Sequence, residues 1–256
     1  MPATTDFLDG LNKTMRDFDI DYYLHEFNIA ATRQGSPQLT YPRQNYICQI
    51  ARFDPAKGIP DVISAFSEFR AKLREAGNED KPQLVICGHS SVDDPDGSKV
   101  FDETMKQIKE ECEDLKDDII VARLGPSDQM LNAIISKAEV VLQLSTREGF
   151  EVKVSEALHK GKPVVVTKAG GIPLQVDHEH NGMPRTSPSS PTPALTVSNT
   201  NRFHRPPQLP LRSSNRALPS LDRRRALQAH VRLCAQQRQR RSPYRRQRAV
   251  LDVFGE

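Results

Sequence analysis

Residues 145–168 read STREGFEVKVSEALHKGKPVVVTK, and the order of residue types in this stretch decides the fold. A turn at Ser145 to Glu148 leads into a helix start at Gly149-Phe150, and the helix runs to about His159. Val152, Val154, Ala157 and Leu158 give that helix an apolar stripe, and Gly161 supplies the left-handed residue with which helices often end. Pro163 to Val166 is then a short buried strand, matched upstream by the apolar run Val140 to Leu144. Strand, loop, helix, strand is a βαβ unit, and such sheets hold ligands in the loops at the carboxyl ends of their strands.

The chemistry of the unit lies at the helix start. Backbone N–H groups of Gly149, Phe150 and Glu151 should point out of it, where the helix dipole also favours an anion. Gly149 permits close approach because no Cβ intervenes. Two carboxylates bracket the helix, Glu148 in the entry loop and Glu156 two turns in. Beside an anion site a carboxylate repels the phosphate itself but accepts hydrogen bonds from neighbouring hydroxyls, as a sugar offers. A sugar phosphate or a nucleotide sugar fits this constellation. Solvated acids at a helix end would read the same way, and residue types alone leave both readings open.

Working outward, the segment 45–182 repeats the alternation. Strands are expected at Tyr46 to Ile50, Leu84 to Cys87 and Ile119 to Ala122, and helices at Pro60 to Leu73, Val100 to Leu115 and Asp128 to Lys137. That order predicts an α/β, Rossmann-like parallel sheet with helices on both faces. Arg52 and Lys57 follow the first strand. Arg is a bidentate fork and Lys a mobile point charge, so the pair suits a phosphate leaving group; two surface cations are the plainer alternative. The loop is not a Walker A motif, and no G-x-G-x-x-G occurs. Gly170-Gly171 reads equally as a close-approach loop near the sugar or as a plain turn. Ser127-Asp128 is an ordinary helix cap.

Composition narrows the classes. The 256 residues allow one or two domains, and a mean hydropathy of −0.58 with no Trp is low for one packed globule. Up to Gly182 there are 21 Lys and Arg against 30 Asp and Glu; beyond it 15 Arg, no Lys and 3 acids. Cys48, Cys87, Cys112 and Cys234 lack ligand spacing and suit free thiols in a reducing, cytoplasmic setting. His178 and His180 lack a third ligand in register, and Asp93, Asp94 and Asp96 lack the rest of a calcium loop, so no metal and no cofactor is expected. No apolar run reaches the ~18 residues of a membrane span.

Glu148 and Glu156, with seven residues between them in REGFEVKVSEALHKGKPVV, resemble the E-x7-E signature of retaining glycosyltransferases of the two-domain GT-B fold, family 4. YICQIARFDPAKGIPDVI, LVICGHSSVDDPDGSKVFDE and VARLGPSDQMLNAIISKAEVVLQLSTREGFE carry the resemblance further, most of all to the fungal trehalose phosphorylase (trehalose synthase, clock-controlled) group. The resemblance covers roughly residues 1–182. It implies a donor-binding half at 45–182, a segment at 1–44 linking it to an acceptor-binding half, and donor contacts from Glu148, Gly149, Phe150, Glu151 and Glu156. It also implies that Arg52 and Lys57 hold the donor phosphate and offset charge as the glycosidic bond breaks. The reaction implied moves glucose, with retained configuration, between a phosphorylated donor and glucose or phosphate. A nucleotide-sugar-dependent synthase is the alternative. Without the acceptor-binding half, the chain alone is expected to be inactive; its oligomeric state is open.

Residues 183–256 change character. Pro, Ser, Thr and Arg dominate, apolar periodicity and strand-forming runs are lacking, and a disordered tail is expected, with only Leu221 to Gln239 able to form a basic helix. A genuine basic arm would bind nucleic acid through phosphate contacts, the rival reading from outside the enzymes. The complete loss of Lys after Lys168 and the break of the family pattern at GGIPLQVDHEHNG point instead to a translated intron or a shifted frame.

Overall fold

The computed structural model describes residue 6, residues 10–89 and 95–176 (95 and 96 by backbone alone), and the backbone of 182–184 and 195–198. Helix α1 (Asp17–Arg33) comes first, followed by β1 (Tyr46–Ile50), α2 (Ile59–Glu75), β2 (Gln83–His89), α3 (Pro95–Glu111), β3 (Ile119–Leu124), α4 (Asp128–Lys137), β4 (Val140–Gln143), α5 (Val152–His159) and β5 (Val164–Thr167). Two short strands complete the described chain, β6 (Gly182–Pro184) and β7 (Leu195–Ser198). The sheet order is β3-β2-β1-β4-β5-β7-β6. β1 to β5 pair in parallel, as the alternation predicts, and β7 joins β5 antiparallel.

The strands are apolar at nearly every position because both sheet faces are covered. One face carries Ile47, Leu84, Ile86, Val121, Leu142 and Val165 under Val62, Ile63, Phe66 and Phe69 of α2 and Phe101 and Ile108 of α3. The other carries Cys48, Ile50, Val85, Cys87, Val141 and Val166 under α1, α4 and α5. Tyr46 is fully buried, and its hydroxyl donates to the Ile134 carbonyl at 2.7 Å, so its one polar group is satisfied inside the core. Cys48, Cys87 and Cys112 are free and buried; Cys234, like the histidines at 178 and 180, lies outside the described residues.

The segment 1–44, expected to link two domains, is packed onto this one in its second part. Ile20, Leu24, Phe27 and Ala31 of α1 are buried against the sheet. After α1, two side chains imitate a further strand along the outer edge of β3. The Gln34 amide receives Arg123 N–H at 2.8 Å and donates to Arg123 C=O at 2.9 Å; Ser36 Oγ donates to Val121 C=O at 2.6 Å and receives Val121 N–H at 3.2 Å. An exposed parallel edge is thereby closed with side-chain atoms.

Several boundaries differ from the sequence expectation. Helix α3 begins at Pro95, ahead of the expected start at Val100, and yields after Glu111, short of the expected end at Leu115, to a tight turn at Glu113–Asp118. Helix α5 starts at Val152 rather than at Gly149-Phe150, because Glu151 takes the capping position. The tail expected to be disordered contributes β6 and β7; Leu221 to Gln239 lies outside the described residues. Gly161 ends α5 as its left-handed geometry demands, with φ of 68° and the paired bonds Gly161 N–H to Leu158 C=O and Lys162 N–H to Ala157 C=O.

Candidate donor site at the sheet's switch point

In this order the chain proceeds outward from β1 to β3, then crosses back to β4 on the other side of β1. The crevice between the carboxyl ends of β1 and β4 is therefore the topological switch point, the usual ligand position in an open α/β sheet. The loop after β1 carries Arg52 and Lys57; the loop after β4 carries Glu148 to Glu151. Both clusters singled out from the sequence thus open on one crevice.

Backbone contacts join the two loops. Asp54 Oδ1 accepts Ala56 N–H at 2.7 Å and starts the Pro55–Lys57 turn, and Thr146 N–H donates to Ala56 C=O at 2.8 Å. Gln49, buried in β1, donates to Lys57 C=O at 2.8 Å and receives Leu144 N–H at 3.1 Å, tying both strand exits together. Gly58 follows with φ of 62°, and a Cβ there would stand 2.0 Å from Leu144 O. Nothing larger than glycine fits between these loops without moving one of them.

Lys57 is the centre of the site. Its side chain is 12% exposed, and its ammonium is bound by the carboxylates of both Glu148 and Glu151, the latter at 2.8 Å. Burial pulls this ammonium's pKa down, but the hydrogen bonds and charges of Glu148 and Glu151 outweigh it and leave it above the ordinary lysine value. Burial likewise pushes the Glu148 carboxyl up, and the opposing hydrogen bond and charge of Lys57 bring it below its ordinary range. Both groups are charged at neutral pH, and Glu148 remains a hydrogen-bond acceptor.

The other expected site residues fall into distinct places. Arg52 is 61% exposed and meets Asp54 at 3.8 Å, so it stands on the rim. Glu156 lies one turn into α5, not two; it is 1% exposed, with Lys153 Nζ at 2.7 Å. Gly149 is exposed and Phe150 half-buried. Of the three N–H groups expected to face an anion, two are engaged: Gly149 N–H by Glu148 Oε1 at 3.2 Å, and Glu151 N–H by Gln175 Oε1 at 2.8 Å. Gln175 is a site residue that sequence reading missed, since nothing local distinguishes it from a surface amide.

Gly170-Gly171 is a close-approach loop, and what it approaches is the Glu148 loop itself. Gly171 N–H donates to Glu148 C=O at 3.2 Å. At the same carboxyl edge, the fully buried Gln143 Oε1 and Ser145 Oγ lack a hydrogen-bond partner among the described residues. A recess of about 310 Å³ lined by Arg43, Leu73, Lys81 and Glu139 lies at the opposite, amino end of the strands and adds nothing to the crevice.

The chain is 48% identical over 185 residues to the trehalose phosphorylase of Pleurotus pulmonarius, a match covering 70% of this chain and 25% of that protein. It is 34% identical over 176 residues to the trehalose synthase of Thermococcus litoralis, covering 69% and 38%. The chain thus spans about a quarter of the length of its fungal relatives. Among solved structures, sucrose-phosphate synthase from Thermosynechococcus elongatus aligns with a TM-score of 0.45 and 23% identity over 59% of this chain and 34% of that one. The sequence profile of the glycosyl transferases group 1 matches residues 33–190, and the chain belongs to that family.

Proposed function

We infer that this chain supplies the donor-side contacts for retaining glucosyl transfer, and that the reaction served is phosphorolysis of trehalose to glucose and glucose 1-phosphate. The observation that carries the reading is the Lys57–Glu148 ion pair across the switch point, which sets a cation for phosphate beside an acceptor for sugar hydroxyls. The names of the fungal relatives supply the substrate. A phosphate oxygen forms the new bond to the anomeric carbon as the bond to the departing glucose oxygen breaks on the same face. The proton lost by phosphate ends on that departing oxygen, so no enzyme nucleophile is consumed. Lys57 and, from the rim, Arg52 offset the phosphate charge. Glu148 accepts from a glucosyl hydroxyl; Glu156, 1% exposed and held by Lys153, must be uncovered before it can take a second. Such chemistry suits a cytoplasmic compartment where inorganic phosphate is abundant.

Grafting residues 45–176 in place of the matching segment of a complete fungal relative tests the assignment. Phosphate-dependent glucose release from trehalose within about tenfold of that relative is expected, a gap of ~1.4 kcal/mol. Turnover driven by a nucleotide sugar and indifferent to phosphate would overturn it.

A further inference from the structure

The carboxylate of Glu151 occupies both features a phosphate would use at this crevice. One oxygen bonds Lys57 Nζ at 2.8 Å, and the other receives Lys153 N–H in the first turn of α5 at 3.3 Å. An ammonium and a helix-start N–H converging on one anion is the arrangement in which phosphate binds, and here the chain provides the anion itself. The one Lys57 ammonium is shared by two carboxylates, Glu148 and Glu151. An incoming phosphate would face two carboxylates whose attraction to Lys57 is already satisfied.

We propose that the Glu151 side chain is a built-in competitor of the donor phosphate, which must turn away from Lys57 and Lys153 N–H before phosphate can bind. This rests on the phosphate reading given above and adds the residue that sets the affinity. The geometry identifies Glu151, and not Glu148, as the group that yields. Each carboxylate bonds Lys57 and one backbone N–H, but only Glu151 takes its N–H from the first turn of α5, the donor a phosphate would use. The main chain of Glu151 is fixed on both sides by the Gln175 amide, with Glu151 N–H and C=O each at 2.8 Å. Its side chain can therefore rotate while the helix start stays in place, releasing one lysine and one backbone donor together. A phosphate bound against such a competitor is held loosely and leaves readily, as a reversible phosphorolysis requires.

The test is calorimetric titration of inorganic phosphate into the full chain and its Glu151→Gln and Glu151→Asp variants, with the Lys153 amide followed by ¹⁵N NMR. Glu151→Gln should bind phosphate about tenfold more tightly than the parent. Glu151→Asp keeps the charge and a capping oxygen but withdraws the carboxylate from Lys57, and it too should bind more tightly; it carries the test if the glutamine variant fails to fold. Phosphate should shift the Lys153 amide of the parent chain. Affinity equal to or below the parent in the folded variants overturns the competitor role while leaving the phosphate site standing. Absence of phosphate binding in parent and variants alike overturns the phosphate reading and the competitor with it.

Discussion

The side-chain amide of Gln175 grips both backbone polar groups of Glu151, receiving its N–H and donating to its C=O, each at 2.8 Å. The same nitrogen donates to Ser155 Oγ at 3.0 Å. A residue 24 positions away thus fixes the entry of α5, and with it the place where Glu151 can reach Lys57.

Replacing Gln175 by Leu keeps the bulk and removes the grip. Two half-buried backbone groups then lose their partners, which costs about 1–3 kcal/mol in stability. Urea unfolding of the two proteins at equal pH checks this, and coincident midpoints would show that the grip is dispensable.

Lys57 and Arg52 should separate when each is changed to Ala in a complete relative or in the grafted enzyme. Both should lower kcat/KM by about 10²-fold. Only Lys57→Ala should also lower stability, because it leaves Glu148 and Glu151 paired with no cation in a largely dry position. Arg52 is mostly solvated and weakly paired, so its loss should be nearly neutral to folding. Wild-type-like kinetics in both variants would remove the phosphate role from the β1 loop.

The pH dependence follows from the directions of two shifts. Glu148 is depressed below its ordinary 4.5, so its contribution is complete above that value and is lost as pH falls through the folded one. Lys57 is raised above its ordinary 10.5, so its contribution is complete below that value and is lost as pH rises through the folded one. The stability difference between the parent and Glu148→Gln should therefore be flat from about pH 6 to about pH 9 and shrink in acid. A difference unchanged down to about pH 3 would show that pairing with Lys57 does not depress the carboxyl.

The core thiols give a prediction independent of the site. Burial raises the Cys48 thiol to about 12 and the Cys87 thiol well above its ordinary value. Neither forms the reactive thiolate near neutral pH. Iodoacetamide at about pH 8 should leave both unmodified in the folded chain and alkylate both in urea, as peptide mass spectrometry would show. Rapid native labelling at Cys48 would mean that β1 opens.

Much of this architecture was legible because it is local. The runs that became β1 to β5 are apolar enough to be buried on both faces, and Gly161 announces a helix end by its own geometry. Arg52, Lys57, Glu148 and Glu156 were singled out by the sequence wording they share with the family, since their charge types alone left plainer readings open. What escaped depends on distance in sequence. That Lys57 would meet Glu148 and Glu151, more than 90 residues on, is a property of strand order, and no window contains both. The start of α5 was misplaced because Glu151 reads as a helical residue but serves as its own cap, at a position where Glu is not a usual choice. Gln34 and Ser36 look like any polar loop until β3 is found beside them.

Gly170 carries the last prediction. Its φ is +53°, and a Cβ there would stand 1.6 Å from Glu148 O and 2.7 Å from Glu148 C. Gly170→Ala therefore meets two obstacles, a left-handed backbone that disfavours a side chain and a clash with main-chain atoms that cannot rotate aside. Only displacement of the Glu148 loop relieves the clash. That displacement also draws Glu148 from Lys57 and strains the Gly171 N–H to Glu148 C=O bond. The expected result is a loss of roughly 2–4 kcal/mol in stability, with phosphate affinity altered in whatever folded protein remains. Gly35, whose φ is +79° but whose Cβ would meet nothing within 4 Å, is the control. Gly35→Ala should cost about 1 kcal/mol from backbone conformation alone. If the two variants unfold at the same urea concentration, the contact between the Gly170 turn and the Glu148 loop is not what holds the donor side of the crevice in shape.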